Sequence, residues 1–219
     1  MNSTGSGAKA PKSALHPLVV RLTHWCTAAA IVVMVLSGWR IYDASPLFPF
    51  VFPPQYTLGG WLGGALQWHF AAMWLLFASA SVYVLYGILS GHFIRSFFPL
   101  TPASVLRDLG AALRGRLTHQ SGVYNAVQRM AYVGVVIVIL VTILSGLGMW
   151  KPVQFQVIDT LLGSYEGARR VHFIGMCLIV LFIAIHVVMV AVVPRTLLPM
   201  LSGRFGRGSH GEPPAEARR

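Results

Sequence analysis

Long apolar segments alternate with polar connections along most of the chain. Four of these segments have few or no internal charges, and each is long enough to cross a hydrocarbon core as a helix, which takes about 20 residues. They cover roughly residues 18–40, 67–90, 128–150 and 169–194. The pattern predicts an all-α integral membrane four-helix bundle that occupies residues 16–200.

The two ends of the chain depart from this pattern. Residues 1–15 are rich in Gly, Ser, Ala and Lys, and residues 201–219 are rich in Gly, Pro, Arg and Glu. Segments of this composition bury too little apolar surface to fold alone. We therefore predict a disordered tail at each end of the bundle.

Positive charges are concentrated in alternate connections, which sets the expected orientation. Lys and Arg are frequent before the first span, between the second and third, and after the fourth. By the positive-inside rule these segments lie in the cytoplasm, so both termini are predicted to be cytoplasmic. The expected location is an inner (cytoplasmic) membrane, which the chain crosses several times.

The composition excludes several classes of function. The chain is 55% hydrophobic and 11% charged, and its net charge of +11 comes from residues outside the span interiors, which argues against nucleic-acid binding. All six carboxylates lie in connections or the C-terminal tail. No acid–base pair, nucleophile constellation or phosphate loop is visible, and proton-coupled transporters normally use carboxylates inside the membrane.

Four histidines near the ends of the apolar segments carry the candidate chemistry. His172 and His186 are fourteen residues apart on one segment. This spacing returns both side chains to nearly the same helix face, about 21 Å apart along the axis. Ionisable side chains inside a span are costly and usually functional.

The direction of each span gives the depth of each histidine. His24 and His186 are expected near the inner face, and His69 and His172 near the outer face. Each pair joins two different helices, as bis-histidine ligation of haem iron in a bundle requires. Because the chain has no Cys-x-x-Cys-His motif, the two haems would be b-type, held by ligation and packing.

Glycines occur at turns that match these levels. Gly38 follows His24 by fourteen residues, Gly87 follows His69 by eighteen, and Gly175 lies one turn after His172. Small residues at these positions would let a flat macrocycle approach the backbone. The Ser37-Gly38 pair recurs as Ser145-Gly146, which is either a trace of an internal repeat or the small-residue packing that membrane helices favour.

Arginines flank the histidines at the span ends. Arg169 and Arg170 precede His172, and Arg21 lies one turn before His24. They are candidates for binding haem propionates, and equally for anchoring the helix ends among lipid headgroups.

Several of these segments resemble a known family. The run from Arg21 to Trp25, the Ser37-Gly38 pair, and His172 followed by His186 are similar to the bacterial b-type cytochromes that form the membrane subunits of nickel-iron hydrogenases, formate dehydrogenases and thiosulfate reductases, the cytochrome b561-like proteins. The resemblance covers about residues 16–195.

The resemblance implies a function in electron transfer. Its members pass electrons through two haems between a catalytic partner and the membrane quinone pool. The implied partner is a periplasmic molybdenum- or nickel-containing oxidoreductase or a c-type cytochrome. Residues 122–129 resemble the formate dehydrogenase segment that helps to line a quinone pocket, which makes Asn125 a candidate quinone ligand, or alternatively the N-cap of the third span.

Two other functions stay open at this point. The same haems could serve a stand-alone membrane oxidoreductase of the superoxide or ascorbate type, without a partner. A histidine-lined metal transporter is the second alternative. Whether the chain counts as an enzyme depends on this choice, since an electron-transfer subunit leaves the substrate chemistry to its partner.

Overall fold

The structure is a computed structural model that describes residues 17–91, 126–194 and 197–203. Within these ranges every regular element is helical, which confirms the predicted fold class. The predicted tail at 1–15 lies outside the described residues, as does the connection at 92–125. Of the tail predicted at 201–219, only residues 201–203 are described, and the last helix extends into them to Ser202.

Four long helices form the bundle. They are α1 (Leu18–Ala44), α2 (Leu62–Leu89), α3 (Ala126–Trp150) and α5 (Ser164–Val192). All four are long and apolar enough to cross a membrane. A 3-10 turn at Pro54–Tyr56 and two short helices, α4 (Gln156–Leu161) and α6 (Leu197–Ser202), complete the described elements.

Two of the long helices begin well before the predicted spans. α2 begins at Leu62 and α5 at Ser164, where the apolar pattern predicted about 67 and 169. Both early turns contain glycine or polar residues, which lower the hydropathy of the segment without preventing helix formation. Hydropathy therefore located the most apolar part of each helix, and these two helices extend beyond it.

Close packing occurs within two antiparallel hairpins. α1 packs along α2, and α3 packs along α5. The fully buried side chains Ala30, Ser37, Ala65, Ser145 and Ala168 are all small. Small residues let helix backbones approach closely in lipid, where the hydrophobic effect between helices is weak.

The outer surface of the bundle is apolar. Large side chains such as Phe77, Ile88 and Val192 are more than half exposed in the isolated chain. In water such a surface would be strongly unfavourable, so a hydrocarbon environment is its natural solvent.

We refer to the end of the bundle where α1 begins and α5 finishes as the terminal end, and to the opposite end as the loop end. The positive-inside pattern predicts that the terminal end faces the cytoplasm.

An aromatic cluster folds the connection at 45–61 onto the loop end. The ring of Tyr42 lies 5.3 Å from Phe50 and 5.0 Å from Phe173 of α5, and Trp39 stacks on Phe52 at 4.7 Å. Asp43 accepts a hydrogen bond of 2.8 Å from the main-chain N–H of Phe52. These contacts hold the connection against both hairpins.

At the terminal end, α6 is attached to the first turns of α1. The Nε of Arg21 donates to the carbonyl of Met200 at 3.1 Å, and its guanidinium also donates to the carbonyl of Leu201. Trp25 donates its indole N–H to Met200 at 3.4 Å. A cation at the C-terminal carbonyls of a helix is stabilising, so Arg21 caps α6.

Gly175 is expected to be essential for packing of α3 on α5. A Cβ at this position would lie 2.1 Å from Oγ1 of Thr142, whereas a Cβ at Gly134 on α3 would meet nothing within 4 Å. Gly175→Val should therefore lower the thermal denaturation temperature of the detergent-solubilised protein, because overpacking typically costs about 1–3 kcal/mol.

Gly134→Val is the matched control, since it makes the same substitution on a helix with open space. It should denature close to the wild-type temperature. An equal decrease in denaturation temperature for the two variants would contradict this explanation. It would show that the low helix propensity of valine, and not the contact with Thr142, destabilises the protein.

Candidate haem site

The four span histidines meet in two pairs. The ring centroids of His24 and His186 are 6.4 Å apart, and those of His69 and His172 are 6.3 Å apart. The directions of the spans predicted that these histidines would lie at the same depths. Each pair joins the α1–α2 hairpin to α5, so both pairs lie across the division between the two hairpins.

The separation of the rings suits a shared metal. A metal–imidazole bond is about 2 Å long and the ring centroid lies about 1 Å behind the nitrogen, so two imidazoles on one metal have centroids roughly 6 Å apart. Aromatic rings in direct contact have centroids about 4.5–7 Å apart. The spacing of both pairs therefore fits a shared metal, and it also lies within the range of direct ring contact.

The loop-end histidine of the first hairpin is held by hydrogen bonds to α1. Nδ1 of His69 lies 3.1 Å from the carbonyl oxygen of Met34 and 3.1 Å from Oγ of Ser37. A carbonyl oxygen only accepts, so Nδ1 carries the proton and donates it. Nε2 is then the nitrogen with the lone pair, as metal ligation through Nε2 requires.

His172 is held in the same way by α3. Its Nδ1 lies 2.9 Å from the carbonyl oxygen of Thr142 and 3.3 Å from Oγ of Ser145. The acceptor carbonyl again belongs to the residue three positions before the serine. Both loop-end rings therefore present Nε2 as the available donor atom.

The glycine after each serine gives the ring access to the helix. A Cβ at Gly38 would lie 3.6 Å from Cε1 of His69, and a Cβ at Gly146 would lie 3.1 Å from Cε1 of His172. Sequence reasoning connected Gly38 with the loop-end level but assigned it to macrocycle packing. In the structure it adjoins the imidazole itself.

The other two predicted glycines are in different surroundings. Gly175 packs against Thr142 and so determines how closely α3 approaches α5. Gly87 is buried on α2. For both, packing against a haem stays a prediction.

Aromatic rings surround the terminal-end pair. Trp25 meets His24 edge-on at 5.2 Å, and Phe182 stacks nearly parallel to His186 at 5.9 Å. Trp25 is itself held by α6 through its bond to Met200. The C-terminal segment thus contributes to the environment of His24.

An apolar groove lies between α1 and α5. It has a volume of about 170 Å³ and is lined by the side chains Val32, Val35, Leu36, Trp39, Val180 and Ile183. All of its lining residues are apolar, so the groove offers no polar group to water.

Two of the three arginines proposed for propionates already have partners on the protein. Arg21 caps α6. Arg169 forms a 3.2 Å ion pair with Glu166 and also donates to the carbonyl of Ser45, which ties α5 to the end of α1. Arg170 is exposed and lines a cavity at the loop end together with Arg169 and Phe48. Asn125 lies outside the described residues.

Comparison with known proteins identifies the family. The prokaryotic cytochrome b561 family matches residues 15–203. The chain belongs to this family. It is therefore a membrane haem protein of electron transport, with b-type haem and several spans, and the resemblance seen in the sequence is confirmed.

Two curated relatives cover most of the chain. It is 55% identical over 191 residues to the putative protein-methionine-sulfoxide reductase subunit YedZ1 of Azospira oryzae, which covers 87% of this chain and 96% of the relative. It is 25% identical over 203 residues to a probable Ni/Fe-hydrogenase B-type cytochrome subunit of Cupriavidus necator, at 84% of this chain and 81% of the relative. No solved structure matched the chain.

The glycines beside the loop-end rings give a direct test of this site. Gly146→Ala brings a Cβ to 3.1 Å from His172, closer than ordinary contact, whereas Gly38→Ala stays at 3.6 Å from His69. We expect Gly146→Ala to reduce the haem bound per chain, or to alter its ferric low-spin EPR signal, and Gly38→Ala to resemble wild type.

The two variants are matched controls for each other, because both add one methyl group beside a serine. An identical effect of the two substitutions would contradict the steric argument. Haem-to-protein ratios of the purified proteins provide the measurement.

Proposed function

We propose that the chain is a two-haem cytochrome b that transfers electrons between the membrane quinone pool and a partner oxidoreductase outside the cytoplasm. The observation that carries the proposal is the pair of facing imidazoles at each of two levels, 6.4 Å and 6.3 Å apart, between the hairpins. His24 and His186 would hold one haem, and His69 and His172 the other.

The donor set fits haem better than a bare metal ion. Structural zinc and similar sites usually take four protein ligands. In the described part of the chain, no three His, Cys, Asp or Glu residues lie together as a metal-binding group. Two imidazoles per level match iron whose four equatorial ligands come from a porphyrin, which favours haem over the metal-transporter alternative.

Other residues of the chain would orient the histidine ligands and keep water away from a bound haem. When bound, each haem supplies reversible one-electron transfer at its iron. The carbonyls of Met34 and Thr142 keep the two loop-end rings in the Nδ1–H tautomer. The apolar helices around them keep the low dielectric that, with the axial ligands, determines a reduction potential.

Haems at the two histidine levels would form a path for electrons across the membrane. The fourteen residues from His172 to His186 correspond to about 21 Å along α5. Arg169 and Arg170 are at the loop end, close enough along α5 to His172 to serve propionates there, while Arg21 is one turn from His24 at the terminal end. The expected orientation makes the terminal end cytoplasmic.

The YedZ1 relative suggests the identity of the partner. Its name describes a subunit of a protein-methionine-sulfoxide reductase, and it is 55% identical to this chain. We propose a partner of this kind at the loop end, in the periplasm of a bacterial inner membrane. Reduction of a sulfoxide consumes two electrons and two protons, so electrons would flow from quinol to the partner.

Quinol oxidation is assigned to the terminal end by analogy with the family. Asn125, immediately before α3, is the candidate to bind a quinone carbonyl. The hydrogenase relative allows the opposite direction of flow, in which a dehydrogenase reduces quinone.

Replacement of single histidines should separate the two centres. His24→Ala and His186→Ala are expected to remove the same component of the reduced-minus-oxidised visible spectrum, and His69→Ala and His172→Ala the other component. Haem per chain should fall toward half in each variant, because loss of one of the two imidazoles weakens the binding of a haem that is not covalently attached.

The four variants control one another, since each pair must give one spectrum. Loss of both components from every variant, with the protein still folded by circular dichroism, would contradict the assignment. A wild-type protein that purifies without haem would contradict the function as a whole.

The direction of electron flow can be tested with purified protein in liposomes. A short-chain quinol should reduce the haems, and addition of the sulfoxide reductase with methionine sulfoxide should reoxidise them. Reduction by ascorbate but not by quinol would favour the stand-alone oxidoreductase instead. Reduction by hydrogen in the presence of a hydrogenase, with no reoxidation by the sulfoxide reductase, would support the other partner.

A further inference from the structure

Two serines occupy equivalent positions beside the loop-end histidines. Ser37 and Ser145 are fully buried, and each is followed by the glycine that adjoins the imidazole. Buried hydroxyl groups in an apolar bundle are unfavourable unless they are hydrogen-bonded. The contacts of these two serines therefore indicate what they do.

Each serine donates its hydroxyl hydrogen to its own helix and turns its lone pairs to the imidazole. Ser37 donates to the carbonyl of Val33 at 2.7 Å, and Ser145 donates to the carbonyl of Thr142 at 2.9 Å. With its hydrogen used in this way, each Oγ is an acceptor for Nδ1–H, at 3.1 Å from His69 and 3.3 Å from His172.

At each of the two loop-end histidines, the imidazole N–H is thus shared between two oxygens. For His69 the second oxygen is the Met34 carbonyl at 3.1 Å, and for His172 it is the Thr142 carbonyl at 2.9 Å. Three-centre hydrogen bonds of this type are common in proteins. Two acceptors at different positions fix the rotation of the ring about Cβ–Cγ, which a single acceptor leaves freer.

We propose that Ser37 and Ser145 are positioning residues that fix the ring planes of His69 and His172 and lower the reduction potential of the iron these rings hold. The proposal rests on the haem ligation proposed above. It concerns the loop-end level alone, and it assigns the two serines a function beyond packing of small residues.

The effect on potential follows from ligand basicity. An imidazole that donates its N–H to an oxygen becomes a more basic ligand through its other nitrogen. A more basic ligand stabilises ferric over ferrous iron, because the oxidised ion carries the larger positive charge. Loss of one of the two acceptors should therefore move the midpoint potential of the loop-end centre to a more positive value.

Redox titration and EPR of the purified haem-loaded protein test this proposal. Ser37→Ala and Ser145→Ala should each raise the midpoint of the component that His69→Ala abolishes, and should shift its low-spin EPR signal. We expect about a threefold change in the oxidised-to-reduced ratio at fixed potential, where tenfold corresponds to about 59 mV for one electron. The double variant should shift further than either single one.

Cysteine variants separate hydrogen bonding from cavity formation. Ser37→Cys and Ser145→Cys keep the side chain filled but replace oxygen by a weak acceptor. They should shift the component in the same direction as alanine, and they provide the test if an alanine variant does not fold. A shift with alanine and none with cysteine would overturn the proposal, because the cavity would then explain the effect.

Ser79→Ala is the matched control. Ser79 is buried on α2, donates to a carbonyl three residues earlier at 3.1 Å, and pairs with Thr27 at 2.9 Å, so its loss removes a comparable buried hydroxyl with no histidine contact. The loop-end component should be unchanged in this variant. An equal shift from Ser79→Ala would overturn the assignment to Ser37 and Ser145.

Failure of this proposal is distinguishable from failure of the proposed function. Suppose that wild type binds two haems and that the double serine variant has the midpoint potential and the EPR signal of wild type. The serines would then be only structural, and the haem ligation would stand. If histidine replacement leaves both haems in place, the ligation itself is wrong.

Discussion

A hydrogen bond from an imidazole N–H to a main-chain carbonyl of the neighbouring helix is the contact on which the loop-end site depends. It is possible only where two helices approach closely, and Gly146 allows the approach on α3 by leaving room for the ring of His172. A carbonyl oxygen in a helix has a second lone pair that can accept from another donor, and the Thr142 carbonyl accepts from both His172 and Ser145. This contact fixes which nitrogen of each ring is left to bind a metal.

The division between close and open packing defines where a cofactor fits. Within each hairpin, small buried side chains bring the helices together. Between the hairpins, the imidazole centroids of each pair are more than 6 Å apart, and an apolar groove lies between α1 and α5. Small residues therefore pack the helices within each hairpin, and histidine side chains lie between the hairpins.

The four long helices and the relative depths of the histidines could be predicted from the sequence, because both follow from simple helix geometry. Hydropathy located four spans, and a rise of about 1.5 Å per residue predicted that His24 lies near His186. Such geometry did not give the acceptors of Nδ1, since a main-chain carbonyl such as that of Met34 has no signature in sequence. It also did not give the contacts of Arg21 with α6 or of Gly175 with Thr142, because such contacts depend on how distant segments come together. A contact of either residue with haem stays a prediction.

The serine, glycine and carbonyl around His69 recur around His172, with the same spacing in both hairpins. Both loop-end rings are thus held by the same kind of local arrangement. The surroundings of the terminal-end rings differ from each other, because one ring belongs to α1 beside Trp25 and the other to α5 beside Phe182. Two haems held at these levels would therefore differ in character even with identical ligand types, and an electron passing between them would move between unequal sites.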